Sequence, residues 1–188
     1  DIVFMGNVGV AQNLEDVVRS FKSAIEQIGD KNLIKLHIVG GGVRLDDIKK
    51  LVKELGIEDS VKFYGQRPQE EMPDFYKIAD ACIVSLKADN MIGLTFPAKV
   101  QGYMAAKKPV LGMIDGSCKK VINEASCGIC VSAGDIKGFS DAIVKFSMEK
   151  DKWTEYGINS KNYFLKHFRK DIHVKAIEEE LKRCIKDV

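Results

Sequence analysis

The sequence predicts an α/β fold: a doubly wound, mostly parallel sheet of six strands with helices on both faces, followed by a helical C-terminal tail. Three observations carry this. Short apolar runs alternate six times with stretches whose apolar residues recur at helical spacing. Glycine-bearing turns close most of those runs. From Asp151 onward only helical spacing remains. Parallel neighbours need right-handed crossovers, so the helices must cover both faces of the sheet. A chain of 188 residues is long enough to bury roughly 70% of its unfolded surface. The expected division is an α/β body over 1–150 and a tail over 151–188 that packs on it, with no flexible linker between them.

Taken in order, Ile2–Met5 reads as a buried strand and Gly6-Asn7-Val8-Gly9 as the loop that ends it. Leu14, Val17, Val18, Phe21, Ile25 and Ile28 then follow helical spacing, with Asn13 as N-cap and Gly29-Asp30 as the stop. Leu36–Val39 is the second strand; Gly40-Gly41-Gly42 leads from it to a helix bearing Leu45, Ile48, Leu51, Val52 and Leu55. Val61, Phe63 and Tyr64 form a third strand closed by Gly65, and Gln66-Arg67-Pro68 is loop. Pro73 opens a short helix through Phe75, Tyr76 and Ala79. Residues 81–86 are the fourth strand and 109–113 the fifth, with Asp115-Gly116-Ser117 as its exit turn. Val121, Ile122 and Ala125 mark a helix, 129–131 the sixth strand, and Gly134-Asp135 caps the helix of Phe139, Ala142, Ile143 and Phe146. Trp153, Tyr156, Tyr163, Phe164 and Phe168 anchor the tail.

Composition excludes several classes of function. A formal net charge of +2, with basic and acidic residues interspersed, lacks the electrostatic footprint of a nucleic-acid binder. No apolar run is long enough to span a bilayer. Five cysteines, an odd number sitting mostly in apolar segments, point to buried thiols in a reducing compartment, the cytoplasm. Cys127 and Cys130 have C-x-x-C spacing but no second pair to complete a zinc site, so they read as core and turn. Asp46-Asp47 reads as a dipole-compensating first helical turn rather than a metal site. There is no G-x-S-x-G elbow and no H-E-x-x-H, and His37, His167 and His173 read as packing or surface. The chain opens directly on a strand, without an initiator Met or a leader, as an excised domain would.

In a doubly wound sheet ligands sit beyond the carboxyl ends of the strands, where the loops 6–9, 40–44, 65–68, 87–97 and 115–117 open together. The stretch 93–110 stands out among them. Pro97 occupies the first turn of a helix that continues until Pro109, and Lys99 sits in that first turn. Free N–H groups and a partial positive charge suit an anion there, and a cation at that end is misplaced unless an anion compensates it or it points into water. The triple glycine lets backbone approach a ligand closely, or simply makes a strand-to-helix turn. It matches neither the Walker nor the dinucleotide fingerprint.

The series Gly-Asn after the first strand, Leu-His-Ile-Val-Gly-Gly-Gly (36–42), Val-Lys-Phe-Tyr-Gly-Gln-Arg-Pro-Gln-Glu-Glu-Met-Pro (61–73), Tyr-Lys-Ile-Ala-Asp-Ala (76–81) and Pro-Ala-Lys-Val-Gln-Gly-Tyr-Met-Ala-Ala-Lys-Lys-Pro-Val (97–110), closed by Ala-Ser-Cys-Gly-Ile-Cys-Val (125–131) and Gly134-Asp135, resembles a known family. It is similar to the C-terminal, donor-binding half of GT-B glycosyltransferases of the family 4 type, the "glycosyl transferases group 1". The resemblance covers nearly the whole chain, and its specificity lies in the series. It implies a Rossmann-like nucleotide-sugar domain over 1–150. Gly40, Gly41, Gly42, Gln66, Arg67 and Pro68 would frame the base. Gly6, Asn7, Val8, Gly9, Thr95, Pro97, Ala98 and Lys99 would face the diphosphate, and Asp89, Asn90, Gly93 and Leu94 would neighbour the donor sugar. The tail, 151–188, would reach toward an N-terminal lobe.

Two departures qualify the likeness. Many members carry two glutamates eight positions apart around this helix, where this chain has Leu94 and Gly102, and many carry an Arg and a Lys in the first loop, where Asn7 and Gln12 stand. The pattern that remains looks like a subgroup using deoxyamino sugars such as N-acetylfucosamine for capsule or O-antigen assembly.

The expected function is that of a retaining glycosyltransferase's donor-binding domain. It would move a sugar from a nucleoside diphosphate sugar, UDP-linked, to a glycan or lipid-linked acceptor held through the other lobe. No metal or other cofactor is expected, because helix dipole and Lys99 offset the leaving diphosphate. The full-length protein is expected in the cytoplasm, associated peripherally with the inner face of the membrane, and this half alone is expected to be inactive. Two alternatives stay open: a non-catalytic nucleotide-sugar-binding module, and a UDP-sugar epimerase of the same two-lobed fold.

Overall fold

The computed structural model describes residues 1–30, 32–88 and 95–186. Among them the elements run β1 (Ile2–Met5), α1 (Leu14–Ile28), β2 (Leu36–Val39), α2 (Leu45–Glu54), β3 (Val61–Gly65), α3 (Met72–Ile78), β4 (Ala81–Ser85), α4 (Ala98–Ala105), β5 (Val110–Met113), α5 (Gly116–Glu124), β6 (Gly128–Val131), α6 (Ile136–Met148), α7 (Lys150–His167) and α8 (Lys170–Lys186). The six strands form one parallel sheet in the order β3-β2-β1-β4-β5-β6, the doubly wound topology whose strand order reverses between β1 and β4. Register is set by paired apolar residues such as Ile2 with Leu36 and Ile2 with Ala81.

Strand residues alternate between two cores, as a period of two requires. Phe4, Ile38, Ile83 and Leu111 pack with α1, α2 and α6 on one face; Val3, Met5, Val84 and Val110 pack with α3, α4 and α5 on the other. Both faces of the central strands are therefore dry, which explains why they read as continuous apolar runs.

Three local expectations are corrected. Asn13 does precede α1, but it takes a left-handed conformation (φ 46°), and its amide donates to the Asp16 carboxylate instead of accepting a backbone N–H. The 115–117 exit turn is not a turn: α5 begins at Gly116 and Asp115 is its N-cap residue, whose carboxylate accepts the N–H of Ala133 at 3.2 Å. The loop after β1 continues into a one-turn 3-10 helix, Val10–Gln12. Asp135 caps α6 through the N–H of Gly138 at 2.8 Å.

The two helices of the tail behave differently. In α7, Ser160 Oγ donates to the Lys108 carbonyl at 2.7 Å and Lys161 Nζ to the Ala105 carbonyl at 2.9 Å, satisfying acceptors at the C-terminal end of α4. Gly157 lets this contact close, since a Cβ there would lie 2.6 Å from the Lys107 carbonyl oxygen. Trp153 stacks on Phe146 and donates its N–H to the Phe146 carbonyl at 2.8 Å. In α8, by contrast, Ile172, Val174, Ile177 and Leu181 are exposed.

Candidate nucleotide-binding site

The parallel ladder continues past the strand ends. Gly6 N–H donates to the Val39 carbonyl at 2.9 Å, Gly40 N–H to Gly65 at 2.8 Å, and Val8 N–H to Gly41 at 2.8 Å; Arg44 N–H closes the set on Val8 at 3.0 Å. The loops after β1, β2 and β3 are thereby held side by side. Their spacing leaves no room for side chains at two of the three glycines. A Cβ on Gly40 (φ +146°) would lie 1.8 Å from the Gly6 carbonyl oxygen, and one on Gly42 (φ +149°) would lie 2.4 Å from that of Val8. Gly40 and Gly42 thus serve loop–loop contact. Gly41 faces outward, with the Gln66 side chain 3.7 Å from its Cβ position.

Between these loops and the start of α3 lies a cleft of about 320 Å³ lined by Gly6, Asn7, Gly40, Gly41, Gln66, Arg67, Val39 and Met72. The structure therefore brings Gly6 and Asn7 together with Gly40, Gly41, Gln66 and Arg67. Other expected residues play supporting parts. Gly42 is taken up by the loop contact, and Val8 is fully buried. Pro68 starts the short 3-10 turn before α3 and is not among the residues lining the cleft. Arg67 is folded back, its Nε donating to the Tyr64 carbonyl at 3.0 Å and Nη1 standing 3.8 Å from Glu71. Gly9 N–H and the Asn7 amide both reach Gln12 Oε1, at 3.2 and 3.4 Å, so Gln12 holds the first loop in shape.

α4 begins one residue later than the sequence predicts: Pro97 stands at its N-cap in extended conformation rather than in the first turn, and Ala98 is exposed in that turn. Lys99 does not point into water. Its chain crosses the carboxyl edge of the sheet at the β1/β4 reversal and lays Nζ 4.0 Å from the ring centroid of Phe4, on the opposite core face. Nζ also stands 2.9 Å from where a Cβ on Gly6 would be. This ammonium is shielded from solvent and has no hydrogen-bond partner among the described residues. Burial lowers its pKa from the ordinary lysine value to about 8. The cation–π contact compensates only part of the lost hydration. A buried ammonium carried by the first turn of a helix is a place where an incoming anion gains both the charge and the helix dipole.

Thr95 is exposed ahead of α4. Asp89, Asn90, Gly93 and Leu94, the expected donor-sugar neighbours, lie outside the described residues. At Gly102, one of the two positions where a family glutamate is replaced, a Cβ would lie 2.8 Å from the Tyr76 hydroxyl. Sequence reasoning missed Met72 and Phe4, since nothing in local spacing says which neighbour a side chain meets across the sheet edge.

The remaining candidates are structural. His37 is buried, with Nδ1 2.8 Å from the Tyr64 hydroxyl and Nε2 2.7 Å from Asp1 Oδ1, and burial lowers its pKa to about 4. Burial raises the Cys127 thiol to about 11 and the Cys130 thiol to about 12, and both are directed at backbone carbonyls, so they behave as core groups. Among the described residues no group of three or more His, Cys, Asp or Glu converges as a metal site, and no helix is long and apolar enough to cross a membrane.

The profile of the family described as glycosyl transferases group 1 matches residues 1–163. The chain belongs to this family. Among its relatives is the N-acetyl-alpha-D-glucosaminyl L-malate synthase of Bacillus anthracis, 24% identical over 177 residues, a match covering 94% of this chain and 44% of that enzyme. The group 1 chain thus spans less than half the length of this curated relative. HepE of Anabaena, solved in complex with UDP, superposes with a TM-score of 0.76 at 16% identity, covering all of this chain and 48% of HepE. The C-terminal domain of the group 1 family protein LpcC from Francisella tularensis superposes with a TM-score of 0.75 at 16% identity, over 90% of this chain and 86% of that domain. At such identities the superpositions speak for the fold, which is that of a GT-B C-terminal domain.

Proposed function

We propose that this chain is the donor-binding domain of a retaining, hexosyl-transferring enzyme that takes a sugar from a UDP-linked donor to a glycan or lipid-linked acceptor in surface polysaccharide synthesis. The observation that carries the reading is the pairing of the largely backbone-lined cleft with the buried Lys99 ammonium at the start of α4, which has no hydrogen-bond partner among the described residues. A flat, neutral base fits the cleft between Gly41, Gln66 and Met72. The diphosphate then falls between Gly6 and the N-terminus of α4. There it takes backbone N–H groups and the Lys99 proton donors, so that the charge developing on the leaving diphosphate meets fixed positive charge without a metal ion. The complex of HepE with UDP supports UDP as the first nucleotide to test.

A domain holding only the donor binds but does not turn over, because acceptor contacts and water exclusion come from lobe closure. We place the full-length protein in the cytoplasm, at the inner face of the membrane. Titration calorimetry with UDP, UDP-sugars and GDP tests the reading. Micromolar to submillimolar UDP binding without added divalent metal, unchanged by a chelator, is expected. No binding of any nucleotide into the millimolar range overturns it.

A further inference from the structure

We propose that a groove between α5 and α7, separate from the nucleotide cleft, is a binding site for a neutral oligosaccharide. The groove has a volume of about 270 Å³ and runs along α7 beside the last turn of α5, where Glu124, Asn159, Asn162, Tyr163, Lys166 and His167 line it. Ser126 leaves α5 in a left-handed conformation (φ 48°), and its carbonyl accepts the Asn159 amide at 2.9 Å, which pins the middle of α7 to the end of α5. Asn159, Asn162, Tyr163 and Lys166 recur at helical spacing, so they share one side of α7. Tyr163 and His167, one turn apart, stack with ring centroids 4.3 Å apart.

The chemistry of this wall suits hydroxyl groups better than an ion. Glu124 and Lys166 set one charge of each sign in it, so the groove as a whole favours neither anion nor cation. Its hydrogen-bonding groups are mixed in kind: Glu124 accepts, Lys166 donates, Asn162 does both, and Asn159 keeps its Oδ1 after donating to Ser126. Among the described residues the Asn162 and Lys166 side chains have no hydrogen bond or ion pair. A pyranose carries hydroxyls, each both donor and acceptor, around a flat C–H face that packs on an aromatic ring. The exposed His167 ring, backed by Tyr163, supplies that aromatic surface, and the Tyr163 hydroxyl stands 3.5 Å from Glu124 at the α5 side. Asn159 and His167 are roughly 12 Å apart along the helix, the length of a short oligosaccharide rather than of one ring. Phe168, next after His167, packs on Phe96 with centroids 5.4 Å apart, and Phe96 immediately precedes Pro97 at the start of α4. The His167 end of the groove thus opens beside the edge that carries the nucleotide cleft, and a glycan extending from that edge can lie along α7.

The experiment titrates maltohexaose and chitotetraose into the isotope-labelled chain and into an Asn162→Ala/His167→Ala double variant, following backbone amide shifts by NMR; both altered side chains are exposed, so the fold is kept. The native chain is expected to bind at least one of the two sugars with a Kd of about 1 mM or lower, with the shifts centred on 159–167 and on the end of α5. The double variant is expected to bind that sugar about five- to twentyfold more weakly, the range of one or two neutral hydrogen bonds, with UDP affinity unchanged. No shift with either sugar up to ~10 mM overturns the proposal, as do shifts centred elsewhere, a variant that binds sugar as the native chain does, or inorganic phosphate bound at these residues in place of sugar. A native chain that binds sugar in the groove but no UDP strikes the donor-binding reading and leaves this site standing. One that binds UDP and neither sugar does the reverse.

Discussion

The two ends of the cleft are built in opposite ways. Where the loops 40–42 and 66–68 face each other, the walls are largely backbone and neutral groups, and the Arg67 guanidinium is turned onto the Tyr64 carbonyl and toward Glu71. Below Gly6, the defining group is a single buried side chain, Lys99, resting on Phe4 without a hydrogen-bond partner among the described residues. The first end is locked by sterics and so is inseparable from the fold. The second stores a charge compensated only in part by the Phe4 ring, which costs the free protein stability and favours an anionic ligand. Perturbations should therefore separate: backbone changes at the base end act on folding, and charge changes at the phosphate end act on binding.

The largest effect is expected from Gly40→Ala. A Cβ 1.8 Å from the Gly6 carbonyl oxygen cannot be relieved by a rotamer, and φ is +146°. A loss of at least ~3 kcal/mol in denaturant-measured stability is expected. A loss below about 1 kcal/mol would show that the loops are not interlocked. Gly41→Ala, whose Cβ meets only the Gln66 side chain at 3.7 Å, should cost far less in the same assay.

Next in size is Lys99→Met, which keeps the apolar stem and removes the charge. UDP binding should weaken about ten- to hundredfold, corresponding to one or two charge-assisted hydrogen bonds. The melting temperature should stay level or rise, because a desolvated ammonium has gone. A fall in melting temperature together with unchanged UDP affinity would mean that Lys99 is only a packing residue.

The smaller effects come from pH. With a free-state pKa near 8, below the ordinary lysine value, the folded chain releases this proton before the unfolded chain does. Its contribution to stability therefore rises with pH from about 8 to the unfolded lysine value of about 10.4. Anion binding needs the protonated form and moves the other way. UDP affinity should be level near neutral pH and fall above pH 8, with proton uptake on binding, and Lys99→Met should show neither. An affinity that stays level to pH 9.5 in the native chain would remove Lys99 from the phosphate site.

The strands and the order of the loops were legible in the sequence because each rests on a local pattern. Leu36–Val39 is a continuous apolar run buried on both faces, and Pro97 pre-sets the start of α4. Errors fell where a single turn decides the outcome: Asp115 already stands at the N-cap position of α5, and Asn13 turns left-handed. At the site, the meeting of Gly6, Gly40 and Gln66 followed from topology alone. The roles within that meeting did not. Gly40 and Gly42 read equally well as ligand-facing or loop-facing until their Cβ positions met backbone oxygens, and the course of Lys99 toward Phe4 depends on which side of the sheet edge its chain crosses.

The most direct test of the account is the ratio of UDP to uridine affinity, measured by calorimetry at pH 7 in the native chain and in Lys99→Met. The account predicts a large preference for UDP in the native chain that shrinks about ten- to hundredfold in the variant, with uridine binding unchanged. A variant that weakens UDP and uridine equally, or neither, would contradict it.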